Sequence, residues 1–309
     1  MSIEGPERGT SSGSGSGATP SEQSGPVSEG GVSIASGLDK LFATTRAANR
    51  AALIGYLPAG FPDLPRSREL LRAMIDSGCD LVEIGMPFSD PVIDGPVVQA
   101  AQQQALAAGT RITDVLGTVQ AVADAGGTAV VMTYFNPILA YGMARFAADL
   151  ASAGGSGVIT PDLIVDEAMP WLAACEAATI APIFLVAPLS PMDRIELTAA
   201  SSRGFLYAAS TMGVTGVRDQ VSSSAPELVA RCRQVTDLPI GVGLGVRTGE
   251  QAAEIAEYAD AVIVGSAFVT LAGSGDGAQS AVTGLAAELA AGVRRRTIPI
   301  GSHPQESTA

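Results

Sequence analysis

The sequence predicts a single α/β domain folded as a (β/α)8 TIM barrel, and three observations carry that prediction. Short apolar runs recur about eight times, with polar or glycine loops and helical periodicity between them, which is the count such a barrel requires. Glycine stands just ahead of several runs, in Asp76-Ser77-Gly78-Cys79-Asp80, Asp124-Ala125-Gly126-Gly127 and Ser152-Ala153-Gly154-Gly155. A residue there can take the left-handed conformation that ends a helix. The stretch before the second run sets Leu70, Leu71, Met74 and Ile75 on one face and Arg68, Glu69 and Arg72 elsewhere, as a helix packing one stripe on a sheet does. A doubly wound sheet, the alternative, would need fewer strands for this length and a switch-point crevice.

Residues 1–34 are mostly Gly, Ser, Pro and Glu and hold almost no large apolar side chains, so they are expected to be a disordered tail. The barrel is expected over 35–296. Its strands are predicted at 51–56, 80–84, 128–133, 157–160, 182–186, 204–207, 239–242 and 261–264. Arg294, Arg295 and Arg296 close the last helix, where cations meet the negative end of its dipole. Residues 297–309 are expected to be a flexible C-terminal tail.

A net charge of −13 argues against nucleic acid and anionic membrane surfaces as partners. A small anionic substrate stays admissible, because backbone dipoles act locally. No apolar stretch approaches a membrane span, and the N-terminus lacks the charged and apolar regions of a secretory signal. Cys79, Cys175 and Cys232 have no ligand-like spacing and read as small core residues of a cytoplasmic protein.

Scarcity narrows the chemistry further. The only histidine is His303, in the tail, and the only lysine is Lys40, ahead of the first strand. A His/Cys zinc site is thereby nearly excluded, a carboxylate-only site would suit magnesium, and a Schiff-base lysine is poorly placed. No cofactor and no metal are expected. Carboxylates, tyrosines and backbone amides remain.

Two carboxylates fit that bill. Glu83 lies inside the apolar run Leu81-Val82-Glu83-Ile84-Gly85, and Asp94 follows on a loop held by Pro87, Pro91 and Pro96. A buried acid raises its pKa or finds a use, and a strand-end acid paired with a loop acid suits acid–base catalysis. The same run would also accommodate a glutamate that caps a neighbouring helix or faces solvent at the rim. In a barrel both acids point to the catalytic face, at the C-terminal ends of the strands.

An anion site is predicted on the last three strand ends, from Thr215-Gly216, Gly243-Leu244-Gly245 and Gly265-Ser266. Barrel enzymes hold phosphate with backbone amides there. Tyr56, Tyr134 and Tyr207 stand near strand ends. Each alone reads as rim packing; together with Phe88 and Leu244 they are expected to line an apolar pocket for an aromatic ligand.

These residues sit within a longer pattern. The segment from Val82 to Pro91, continuing through Asp94-Gly95-Pro96, resembles the signature of the tryptophan synthase alpha subunit. Similar segments run in order through Ile54–Gly60, Met132–Pro137, Pro161-Asp162-Leu163, Tyr207–Gly216, Gly243–Gly245 and Gly265-Ser266, covering about residues 37–296. The resemblance implies a TIM-barrel lyase that cleaves indole-3-glycerol phosphate to indole and glyceraldehyde 3-phosphate. It implies Glu83 and Asp94 as the catalytic pair. Thr215, Gly216, Gly245 and Ser266 would lie at the phosphate, Tyr207 in the site, and Asp90 on the loop facing the partner. That partner would be a beta subunit carrying pyridoxal phosphate, in an alpha2beta2 heterotetramer. Two other readings remain open: another phosphate-binding barrel enzyme acting on a sugar phosphate, and a non-catalytic subunit kept to activate or cap a partner.

Overall fold

The computed structural model describes residues 37–209 and 224–296. The expected tails 1–34 and 297–309, with Thr215 and Gly216, lie outside the described residues. The chain opens with α1 (Gly37–Ala47), β1 (Ala52–Pro58), α2 (Leu64–Asp76), β2 (Leu81–Gly85), α3 (Pro96–Ala107) and α4 (Ile112–Asp124). It continues through β3 (Ala129–Met132), α5 (Phe135–Tyr141), α6 (Met143–Ser152), β4 (Gly157–Ile159), α7 (Met169–Ala178), β5 (Ala181–Ile183), β6 (Leu185–Val186) and α8 (Met192–Ser201). The remaining elements are β7 (Leu206–Ala209), α9 (Ser224–Arg233), β8 (Ile240–Gly243), α10 (Gly249–Ala256), β9 (Ala261–Val264), α11 (Ser266–Ala272) and α12 (Ala278–Val293).

All strand pairs are parallel, in the order β5-β4-β3-β2-β1-β9-β8-β7-β6. The predicted strand 182–186 is divided at Phe184. Its carbonyls alternate sides: Ile183 O accepts from Thr160 N at 3.4 Å, and Phe184 O from Tyr207 N at 3.1 Å. The segment therefore bonds β4 on one side and β7 on the other, and the nine strands make a barrel of eight staves. Each of the other predicted strands is present, shifted by at most two residues.

Period-two alternation divides the buried side chains into two shells. Ala52, Ile54, Leu81, Val130, Ile159, Ile183, Phe205 and Ile263 fill the barrel interior. Leu53, Val82, Ile84, Val131, Val158, Val242 and Val262 point outward and pack under the helices. Burial on both faces explains why these strands read as unbroken apolar runs. Leu38 and Phe42 of α1 belong to the interior cluster, and Phe42 meets Phe205 at 5.7 Å between ring centroids. The helix α1 thus stops the N-terminal end of the barrel.

The same end holds two buried or half-buried acids. Asp80 takes a two-pronged bond from Arg50 at 2.7 and 2.8 Å and accepts from Leu53 N. Asp260 accepts from Arg46, Arg233 and Ile240 N. Gly78, Gly126 and Gly154 have φ values of 115°, 81° and 82°, the left-handed turns expected ahead of β2, β3 and β4. Among the described residues, no helix is long and apolar enough to cross a membrane.

Candidate active site

The C-terminal ends of the strands surround a cavity of about 450 Å³, within the range usual for small-molecule sites. Glu83 projects into it because it shares the inward alternation of Leu81 and Gly85 on β2. It is 1% exposed, and its Oε1 has no hydrogen-bond partner. Burial without a compensating donor pushes its carboxyl up to about 8. Glu83 neither caps a helix nor faces solvent.

Asp94 closes the cavity from the β2–α3 loop and is 6% exposed. Its Oδ2 accepts from the Tyr134 hydroxyl at 2.8 Å and from Gln102 Nε2 at 3.1 Å. Burial raises its pKa, and the two hydrogen bonds pull it back. The two acids therefore occupy different surroundings, one bare and one held.

The tyrosines divide by role. Tyr56 and Tyr207 line the cavity. Each hydroxyl fills the space above a glycine of the next strand: a Cβ at Gly85 would fall 2.4 Å from Tyr56 Oη, and one at Gly243 would fall 2.6 Å from Tyr207 Oη. Burial is the first cause that raises both phenols well above the usual range, reinforced by the nearby acids. Tyr134 stands behind Asp94, outside the cavity wall, and stacks on Phe88 at 5.1 Å between centroids. Its hydroxyl also accepts from Val92 N at 2.9 Å and Ile93 N at 3.0 Å.

Leu244, Gly245, Gly265 and Ser266 line the cavity at the ends of β8 and β9. Met132, Leu185, Val186 and Ile263 are among the side chains of its apolar wall. Asp90 lies on the exposed side of the β2–α3 loop and accepts from the Ser89 hydroxyl. Among the described residues, no group of three or more His, Cys, Asp or Glu is arranged to hold a metal.

Sequence reasoning missed Gln102. It is buried on α3 and bonds Asp94, the Tyr56 hydroxyl and Phe88 N. The helical phase Val98, Ala101, Gln102, Ala105 marks the buried stripe and would have singled it out from Gln103 and Gln104.

Comparison with known proteins places the chain in a family. The family model for the tryptophan synthase alpha chain matches residues 42–294. The tryptophan synthase alpha chain of Nocardia farcinica is 59% identical over 267 residues, 86% of this chain and 99% of the relative. That of Mycobacterium bovis is 58% identical over 262 residues, 85% and 96% of the two chains. The structure of tryptophan synthase from Mycobacterium tuberculosis superposes with a TM-score of 0.81 at 56% identity, over 84% of this chain and 99% of that one. The tryptophan synthase complex from Pyrococcus furiosus gives 0.73 at 30% identity, over 78% and 98%. Matched by that family model from residue 42 to residue 294, and by relatives at 58–59% identity over most of its length, the chain belongs to the tryptophan synthase alpha chain family.

Proposed function

We propose that this chain cleaves indole-3-glycerol phosphate to indole and glyceraldehyde 3-phosphate, with Glu83 moving protons and Asp94 steadying charge. The observation that carries the reading is the bare, buried Glu83 carboxyl facing a cavity that Asp94 closes. The retro-aldol step needs a proton delivered to indole C3, which makes the ring an electron sink. A proton must also leave the adjacent side-chain hydroxyl. The carbon–carbon bond then breaks, its electron pair returns to the ring, and the hydroxyl carbon becomes the aldehyde. A carboxyl with a pKa near 8 carries protons in both directions at neutral pH. Asp94, ionised, accepts the indole N–H and offsets the positive charge growing on that nitrogen. Two carboxyls in unlike surroundings take unlike roles.

The apolar wall of Leu185, Leu244 and Ile263 with Tyr56 and Tyr207 suits an indole better than a bare sugar phosphate. Tyr134 contributes through Asp94. Backbone amides around Gly245, Gly265 and Ser266, with Thr215 and Gly216 from the segment between β7 and α9, hold the phosphate. No cofactor acts in this chain; pyridoxal phosphate belongs to the beta subunit.

That beta subunit is the partner, in an assembly of two alpha and two beta chains. Exposed apolar side chains follow the ends of four successive staves: Val92 after β2, Leu139 after β3, Ile164 and Met169 after β4, and Leu189 after β6. Such a rim, with Asp90 beside it, is a surface for a protein to cover. A biosynthetic role supports a cytoplasmic location. Indole release from indole-3-glycerol phosphate, assayed with and without beta subunit, tests the reading. Failure to form indole in either setting overturns it.

A further inference from the structure

We propose that Gln102 is a positioning residue for this reaction, its side-chain amide orienting the Asp94 carboxylate and tying it to the loop that carries it. The inference rests on the reading of Asp94 as the group that meets the indole nitrogen. Gln102 is 3% exposed on α3, and both of its polar atoms have defined partners. Its Oε1 accepts the Phe88 N–H at 3.1 Å. A backbone N–H can only donate, so this contact fixes which end of the amide is oxygen. Nε2 is thereby turned to Asp94 Oδ2 at 3.1 Å, with the Tyr56 hydroxyl at 3.4 Å. A single amide joins α3, the β2–α3 loop and β1 around the carboxylate. Its neighbours behave differently: Gln103 is exposed, and the exposed Gln104 reaches only Pro62 O.

The surroundings of Asp94 make this donor consequential. The titratable groups that face it are Glu83 from β2, Tyr56 from β1, Tyr134 from the β3–α5 junction and Tyr207 from β7. Every one is an acid, and none brings a positive charge. Among the described residues, Tyr134 and Gln102 are the side chains that donate to the carboxylate. An N–H aimed at a carboxylate favours its ionised form. Gln102 also binds the same oxygen as Tyr134, so that Oδ2 is engaged from two sides and Oδ1 is left for the substrate.

The test compares the full chain with Gln102→Leu and Gln102→Glu. Leucine removes both contacts. Glutamate keeps an acceptor for Phe88 N–H, while its ionised form offers Asp94 no donor and sets a second negative charge beside it, so leucine reads the lost donor and glutamate the lost donor with like charge added. The carbon resonance of the Asp94 carboxyl, in protein labelled at aspartate, gives its titration directly. The expected result is an upward shift of about one pH unit in Gln102→Leu and at least as much in Gln102→Glu. Turnover of indole-3-glycerol phosphate in the presence of beta subunit should fall about tenfold in kcat with KM within about twofold, and the acid limb of the pH profile should move with the resonance. A folded Gln102→Glu with a wild-type Asp94 titration overturns the inference, since only loop anchoring would then remain. Should Gln102→Leu fail to fold, Gln102→Met, which also lacks the donor and adds no charge, decides in its place. A wild-type chain that forms no indole would sink the functional reading, while the resonance would still decide the role of Gln102.

Discussion

The Tyr134 hydroxyl donates to Asp94 Oδ2 at 2.8 Å while accepting from the backbone N–H groups of Val92 and Ile93. One donor and two acceptors exhaust what a phenol can do. Three bonds at a single oxygen thus fasten both the Asp94 carboxylate and the two residues that precede it.

Tyr134→Phe should release all three at once. We expect kcat to fall about tenfold and stability to drop by about 1–3 kcal/mol, since a hydrogen bond to a charged group and two backbone donors lose their partner. Steady-state kinetics and chemical denaturation measure the two effects. Wild-type turnover in this variant would mean that Asp94 is held adequately by Gln102 alone.

Glu83→Gln should lower turnover by about 10²–10⁴-fold with substrate affinity nearly intact. The amide keeps the shape of the side chain and loses the transferable proton. A variant that retains most of its kcat would remove Glu83 from the mechanism.

The same substitution has a signature without substrate. Unfolded, Glu83 releases its proton near 4.5; folded, it holds the proton to about 8. Between those values the unfolded chain binds fewer protons than the folded one, so the stability Glu83 allows at low pH is lost as pH rises toward 8. Glu83→Gln cannot ionise. Its melting temperature should therefore gain on the wild type steadily from pH 5 to pH 8, by the equivalent of about 2–4 kcal/mol. Parallel melting curves across that window would contradict the buried-acid reading.

Cleavage should survive both a chelator and borohydride in the presence of substrate. Metal-dependent aldolases lose activity to EDTA, and Schiff-base aldolases are trapped through a lysine. The one lysine, Lys40, is exposed on α1 at the opposite end of the barrel. Asp94→Asn should instead depress turnover strongly, because a neutral amide cannot balance charge on the indole nitrogen. A reduced adduct on Lys40 would show the chemistry assigned to the wrong groups.

The beta subunit should raise kcat/KM of the cleavage by the equivalent of about 1–3 kcal/mol. Met169 is 71% exposed on the rim, so Met169→Glu should leave the stability of the chain within about 0.5 kcal/mol and weaken that activation. Full activation of Met169→Glu at wild-type concentrations of partner would take this side chain out of the contact.

The barrel was legible because parallel strands buried on both faces leave apolar runs, and because the glycines at 78, 126 and 154 sit where helices must end. Glu83 was legible for the converse reason, as a charge that packing does not explain. The break at Phe184 was hidden, since Ala181–Val186 is apolar throughout and only its carbonyl directions reveal that it serves two neighbours. Gln102 was hidden in a polar triplet whose members look alike until the helix phase turns one of them inward. Tyr134 read as a wall of the pocket; its place behind Asp94 depends on where the β2–α3 loop folds back, and no local pattern encodes that.

The stopper formed by Leu38 and Phe42 fixes the direction of molecular traffic. Among the described residues the lower barrel is filled from α1 to Ile54, Ile183 and Ile263, so the chamber above is a cul-de-sac. On the proposed reading, substrate would enter and both fragments would depart at the C-terminal ends of the strands, beside the rim that carries Leu139, Met169 and Leu189. A partner seated there becomes the doorkeeper for indole. A small apolar product that would otherwise diffuse away would then be met at the threshold by the protein that consumes it.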